Sequence, residues 1–292
     1  MERLLVIGCG DIARRALPEL RSRYRITALV RSREPALAAS GIELIEGDID
    51  KAESLALLAG RAERIAHLAP PAGNGSVDVR TRNLIAALAP RGRGAMLPQR
   101  FLYLSTSGVY GDCAGEWVEE TRPPNPMTDR ARRRLDAERA IGDWGERNRV
   151  EVAILRVPGI YASDRLPLDR LIRGAPALVA EEDVYTNHIH ADDLAAIVVA
   201  ALEAGQASGI YNASDDGPMK MGEFFDLIAD RAGLSRPPRV SRDEAERRVP
   251  KELLSFMSES RRLVNKRLKE ELGVRLRYPT AADGVPMTVQ AA

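Results

Sequence analysis

Arg3-Leu4-Leu5-Val6-Ile7-Gly8-Cys9-Gly10-Asp11-Ile12-Ala13 decides how the rest of the chain is read. Its apolar run lacks polar alternation, as expected of a strand buried on both faces. The run enters a G-x-G-x-x-A turn that opens a helix. Gly8 permits the tight turn, and Gly10 lets the backbone approach a pyrophosphate. Ala13 is small enough for the helix to pack closely on the strand. The helix start at Asp11 and Ile12 offers unpaired N–H groups to phosphate oxygens, with Cys9 beside them. A tight βα turn alone would also use glycines. Position directly after an apolar strand is the context a dinucleotide site requires, so the stretch predicts one.

Further strands are expected at Arg25–Val30, Ile42–Ile45, Arg64–Leu68, Phe101–Ser105 and Val152–Arg156, after the first at Arg3–Gly8. Helical patterns at Asp11–Leu20, Ala52–Leu58, Val77–Ala89 and Thr128–Arg147 alternate with them. Right-handed crossovers turn this order into an α/β fold, a Rossmann-type doubly wound parallel sheet. After Arg156 the pattern loosens. Helices are expected at Asp192–Ala204, Met221–Ala232, Arg242–Arg248 and Glu259–Glu271, in a smaller carboxy-terminal α+β substrate domain. The expected division gives residues 1–157 and 186–210 to the dinucleotide domain, and 158–185 and 211–282 to the smaller one. Residues 283–292 read as a loose tail.

Composition narrows the function. The 292 residues carry 43 basic and 42 acidic side chains, a balance that gives no general reason to bind nucleic acid or an acidic membrane. No apolar run reaches a membrane span, and no signal peptide pattern is seen at the start. Two cysteines without C-x-x-C spacing exclude a disulfide framework. A soluble, cytoplasmic protein with a small-molecule substrate is expected. His188-x-His190 before Asp192 and Asp193 invites a metal reading but lacks a third clear ligand, so no metal is expected.

The end of the second strand separates NAD from NADP. An NAD site places Asp or Glu there to accept from the ribose hydroxyls. Here Val30 leads into Arg31-Ser32-Arg33, with Glu34 one step late. Arg31 and Ser32 suit a 2′-phosphate through charge-assisted hydrogen bonds, and NADP is favoured over NAD.

Four more motifs follow in order: Gly47-Asp48-Ile49-Asp50, His67-Leu68-Ala69-Pro70, Ser105-Thr106-Ser107-Gly108-Val109-Tyr110-Gly111, and His190-Ala191-Asp192-Asp193-Leu194. With the glycine turn and Ile210-Tyr211-Asn212-Ala213, the set resembles the extended or atypical short-chain dehydrogenase/reductases, the NAD-dependent epimerase/dehydratase family. That resemblance implies that Asp48 and Ile49 sit against the adenine and that Leu68, Ala69 and Pro70 line the cofactor cleft. It implies that Thr106 hydrogen-bonds a substrate hydroxyl or carbonyl, with Ser105 beside it at the strand end. It also implies a homodimer through the third and fourth helices.

The departures from the family matter more. Its Tyr-x-x-x-Lys pair supplies a phenol whose pKa is lowered by a nearby Lys and by the nicotinamide charge. Alignment puts Arg130 at the Tyr position and Arg134 at the Lys position. A guanidinium stays protonated, so Arg130 is no ordinary proton shuttle, while Arg134 can still hold the ribose. Tyr110, Asp78 or water then remain for proton transfer. The run Arg130–Arg134 reads equally as an anion clamp or as a solvated helix face. The expected function is an NAD(P)-binding epimerase, dehydratase or reductase-like protein acting on a hydroxyl or carbonyl of a sugar-like or nucleotide-linked substrate. The alternative is a non-catalytic NAD(P)H-binding sensor.

Overall fold

The structure is a computed structural model that describes residues 1–89, 96–203 and 208–289. Seven strands form the central sheet: β1 (Glu2–Ile7), β2 (Tyr24–Val30), β3 (Glu43–Glu46), β4 (Arg64–His67), β5 (Arg100–Thr106), β6 (Glu151–Val157) and β7 (Gly209–Asn212). Their spatial order is β7-β6-β5-β4-β1-β2-β3, every pair parallel. The chain runs outward from β1 to β3 and returns to β4 on the other side of β1. That reversal leaves a crevice at the carboxyl ends of β1 and β4, where open α/β sheets bind ligands.

Both sheet faces are covered, which is why the strands read as continuous apolar runs. Helices α1 (Asp11–Arg23) and α6 (Ala191–Glu203) share one core with the sheet. On the opposite face, α3 (Val79–Ala87) and α4 (Asp129–Asn148) cover the second core, while the short α2 (Pro35–Ala39), between β2 and β3 in the chain, adds Leu37 to the first. Ala52–Leu58 is a 3-10 helix. A separate core joins α5 (Leu168–Ile172), α7 (Met221–Ala232) and α8 (Arg242–Arg248) beyond the carboxyl edge of the sheet. None of the helices among the described residues is long and apolar enough to cross a membrane.

Three expectations change. β7 puts Tyr211 and Asn212 in the central sheet beside Leu155 and Arg156, so a division at residue 210 would cut through a strand. Helix Glu259–Glu271 shortens to Lys266–Leu272, because Arg262–Leu263 instead pairs in parallel with Trp117–Val118. Leu263 N–H also donates to Asn187 Oδ1 at 2.8 Å, a tertiary contact that overrides helix propensity. The tail from residue 283 is not loose as far as Val289. Val285 and Val289 are buried in the third core, and Val289 N–H donates to the Arg231 carbonyl at 2.9 Å. Gln290 to Ala292, and Ala204 at the end of the expected helix, lie outside the described residues.

Ending the chain at Gly284 removes both valines and is expected to cost about 3 kcal/mol at the usual worth of buried Val side chains. Urea unfolding checks it, and an unchanged midpoint would restore the loose tail.

Candidate functional site

The crevice between β1 and β4 holds a cleft of about 310 Å³. Gly8 has φ +91°, and a Cβ there would lie 2.5 Å from the Ala69 backbone nitrogen. Any side chain would push the two strand ends apart. A Cβ on Gly10 would meet nothing within 4 Å, so that backbone faces open space. No side chain caps α1, which leaves its first N–H groups to an incoming anion. The cradle therefore fits a dinucleotide pyrophosphate on its own geometry. Cys9, Arg31, Asp48, Ile49, Ala69 and Pro70 line it.

Four expected contacts are not among the lining residues. The Asp11 carboxylate turns to Arg15 and Arg165 at 2.8 and 2.7 Å. Ile12 and Leu68 are buried in the first core, and Ser32 lies outside the cleft wall. Glu34, read as one step late, does line the cleft, yet Arg14 holds its carboxylate at 2.5 Å. Burial pushes the Cys9 thiol up to about 11, so Cys9 is no activated nucleophile at neutral pH.

A second cavity of about 600 Å³ opens between the carboxyl ends of β5 and β6 and the outer lobe. Thr106 lines it, and its hydroxyl oxygen accepts from Gly108 N–H at 3.2 Å. Arg130 and Arg134, one turn apart on α4, line it as well. Arg134 Nη1 donates to the Leu104 carbonyl at 2.6 Å, to the Tyr103 hydroxyl at 3.1 Å and to the Ala69 carbonyl at 3.5 Å. It thereby ties the second cavity to the first cleft. Ser105 touches the cavity, but its hydroxyl donates to Glu138, which is also ion-paired with Arg156 at 2.7 Å in a fully buried pair.

The two expected proton donors are engaged elsewhere. Tyr110 is 1% exposed and donates to Asn212 Oδ1 at 2.8 Å, and burial pushes its phenol up to about 12. Asp78, also 1% exposed, caps α3 by accepting from Arg80 N–H and the Thr81 hydroxyl at 3.1 and 2.8 Å. Neither lines the cavity. Of the arginine run, Arg132 pairs with Asp129 at 2.8 Å and Arg133 bonds the Gly75 carbonyl. Of the run, only Arg130 and Arg134 line the cavity, and Arg133 is buried rather than solvated.

His188, whose spacing to His190 suggests only a metal ligand, has a different place in the fold. It lines the cavity, stacked on Phe224 with centroids 3.9 Å apart. Its place depends on a parallel bridge to Gly159, a pairing of two three-residue strands with no sequence period to reveal it. Burial holds its imidazole down to about 3, so it is neutral, and Nδ1 has no partner among the described residues.

Behind His188, Asp215 is buried and burial raises its carboxyl to about 8. The folded chain then holds this proton while the unfolded chain loses it near pH 4, so stability falls as pH rises from 4 to 8. Asp215→Asn is expected to flatten that slope and raise the melting midpoint at pH 8. A mutant whose pH profile parallels the parent would show that Asp215 ionises normally.

Residues 4–214 match the model of the NAD-dependent epimerase/dehydratase family. A GDP-6-deoxy-D-mannose reductase from Pseudomonas aeruginosa is 28% identical over 187 residues. That match covers 57% of this chain and spans only 60% of the relative's length. The structure of a functionally unknown conserved protein from Silicibacter pomeroyi is 29% identical, with 97% and 96% of the two chains covered and a TM-score of 0.76. A UDP-glucose 4-epimerase from Thermus thermophilus, solved in complex with NAD, is 21% identical over 98% and 97% of the chains at TM-score 0.74. At that identity the likeness is one of fold.

Proposed function

The chain belongs to the NAD-dependent epimerase/dehydratase family, and on that premise we propose that it is an NADP-dependent oxidoreductase or epimerase-type enzyme acting on a hydroxyl or carbonyl of a sugar-like or nucleotide-linked substrate. The carrying observation is Arg134, which lines the substrate cavity while bonding Ala69 in the wall of the dinucleotide cleft. A group bound in one is therefore next to a group bound in the other. The reductase and the NAD-bound epimerase similar to this chain support a nicotinamide cofactor and a sugar-nucleotide-related substrate, and the NADP preference rests on Arg31 alone.

Within it, Gly8, Gly10 and the start of α1 hold the pyrophosphate, and Asp48 and Ile49 flank the adenine. Arg31 reads the 2′-phosphate, which the engagement of Glu34 by Arg14 leaves without a competing free acid. A bound nicotinamide would supply or accept hydride. Thr106 orients the reacting oxygen by donating its hydroxyl proton, while one lone pair on its oxygen accepts from Gly108 N–H. With Tyr110 and Asp78 engaged elsewhere, water in the cavity exchanges the proton. A homodimer through α3 and α4 accords with Val77 and Val79, 46% and 53% exposed at the start of α3.

The absence of a Tyr-Lys pair favours a second reading, a non-catalytic NAD(P)H sensor. Fluorescence titration with NADPH and NADH separates the possibilities. NADPH is expected to bind more tightly than NADH, with binding abolished by Gly10→Asp and the preference lost in Arg31→Asp. Turnover of a carbonyl substrate that falls on the order of 100-fold in Thr106→Ala would establish the enzyme. Binding without turnover would establish the sensor, and no binding of either cofactor would overturn both.

A further inference from the structure

The cavity beside Thr106 is lined by five arginines but only one glutamate. Arg261 pairs with that Glu259 at 2.8 Å, and Arg165 with Asp11 at 2.7 Å. Arg130, Arg134 and Arg170 form no ion pair among the described residues. Arg170 lies over the Phe225 ring at 4.1 Å, and Arg130 over Phe256 at 4.6 Å. Arg134 donates only to neutral oxygens.

Two of these charges are carried by α4. A Cβ on Gly108 would lie 3.5 Å from Thr106 Oγ1 and 3.8 Å from Ala131 Cβ, so the first turn of α4 packs against the turn that carries Thr106. Arg134 holds the Leu104 carbonyl on the same strand end. Arg130 and Arg134, one turn apart, thus line the cavity from the helix that packs against the Thr106 turn, and the positive end of the 20-residue α4 adds to their field. A neutral sugar beside them would offer hydroxyl acceptors but no counter-charge to two cations stripped of water. A carboxylate accepts forked N–H donors from both.

We propose that the substrate carries a carboxylate that binds between Arg130 and Arg134, so that the ligand class is a hydroxy or keto acid of sugar-like form rather than a neutral sugar. The assignment rests on the substrate-cavity reading above and narrows it. Arginines at the expected Tyr and Lys positions are then acid-recognition residues, not a failed proton relay.

The test compares pairs that differ by one carboxylate: D-glucuronate against D-glucose, and UDP-glucuronate against UDP-glucose. Melting midpoints and calorimetric titration of the full chain, with and without NADPH, provide the readout. The acid of each pair is expected to bind roughly tenfold or more tightly, the scale of one charge-assisted hydrogen bond. Arg130→Gln should erase the difference and Arg130→Lys keep part of it. Arg132→Gln, on the exposed face paired to Asp129, should leave it intact. Equal binding within both pairs, or a preference that survives Arg130→Gln, would overturn the proposal. So would equal weakening of both UDP compounds in Arg130→Gln, which would assign the arginine to the diphosphate. Acid preference without NADPH binding would sink the dinucleotide reading alone, and NADPH binding without acid preference would sink this one alone.

Discussion

The backbone of Gly8 passes so near Ala69 that a Cβ on residue 8 would sit 2.5 Å from the Ala69 nitrogen. The contact joins the ends of β1 and β4, neighbours in the sheet although two strands intervene in the chain. It sets how α1 leaves the sheet, and so where its uncapped N–H groups point. The Ala69 carbonyl then receives Arg134 from α4, so the same junction fixes the depth at which α4 docks on the opposite face. A larger residue at position 8 would open the crevice and carry Arg134 away from Leu104 and Tyr103.

Along α4, residues 130, 134 and 138 fall on one face at successive turns. Arg130 reaches the cavity, Arg134 the junction, and Glu138 the buried pair with Arg156. Removing one partner of such a pair is costly, whereas the intact pair adds little over a well-packed apolar replacement. Its contribution here is positional. Glu138 takes the Ser105 hydroxyl and Arg156 stacks 4.6 Å from Tyr110, so the strand end before Thr106 and the turn after it are held from both sides.

The sheet was legible because buried parallel strands announce themselves as unbroken apolar runs. All six expected strands lie within one residue of the observed ones at each end, and α7 and α8 agree throughout. What stayed hidden is non-local. β7 is only four residues long, and its Gly209 finds its partner at Ala153, 56 residues upstream. Tyr110 looked available until Asn212, 102 residues away, took its hydroxyl. Asp78 carried the carboxylate of a plausible acid, but a short polar residue before a helix is equally a cap, and only packing tells them apart. Local patterns place the glycine turn and Thr106. They are blind to which charges lack partners.

That last quantity gives the cavity its chemical polarity. The side chains of Thr106, Arg130 and Arg134, all lining the cavity, present hydrogen-bond donors. A threonine hydroxyl is no general base, the Thr106 oxygen accepts from Gly108 with one of its lone pairs, and guanidinium has no acceptor to offer. An array of donors stabilises negative charge growing on an oxygen and does nothing to draw a proton from a hydroxyl. Under the proposed function it therefore favours hydride addition to a carbonyl, where an alkoxide develops and water completes it, over oxidation of an alcohol, which needs a base. On the proposed reading, an arginine where the family resemblance expects a tyrosine gives up reversible proton transfer by a phenol in favour of anion recognition and a preferred direction.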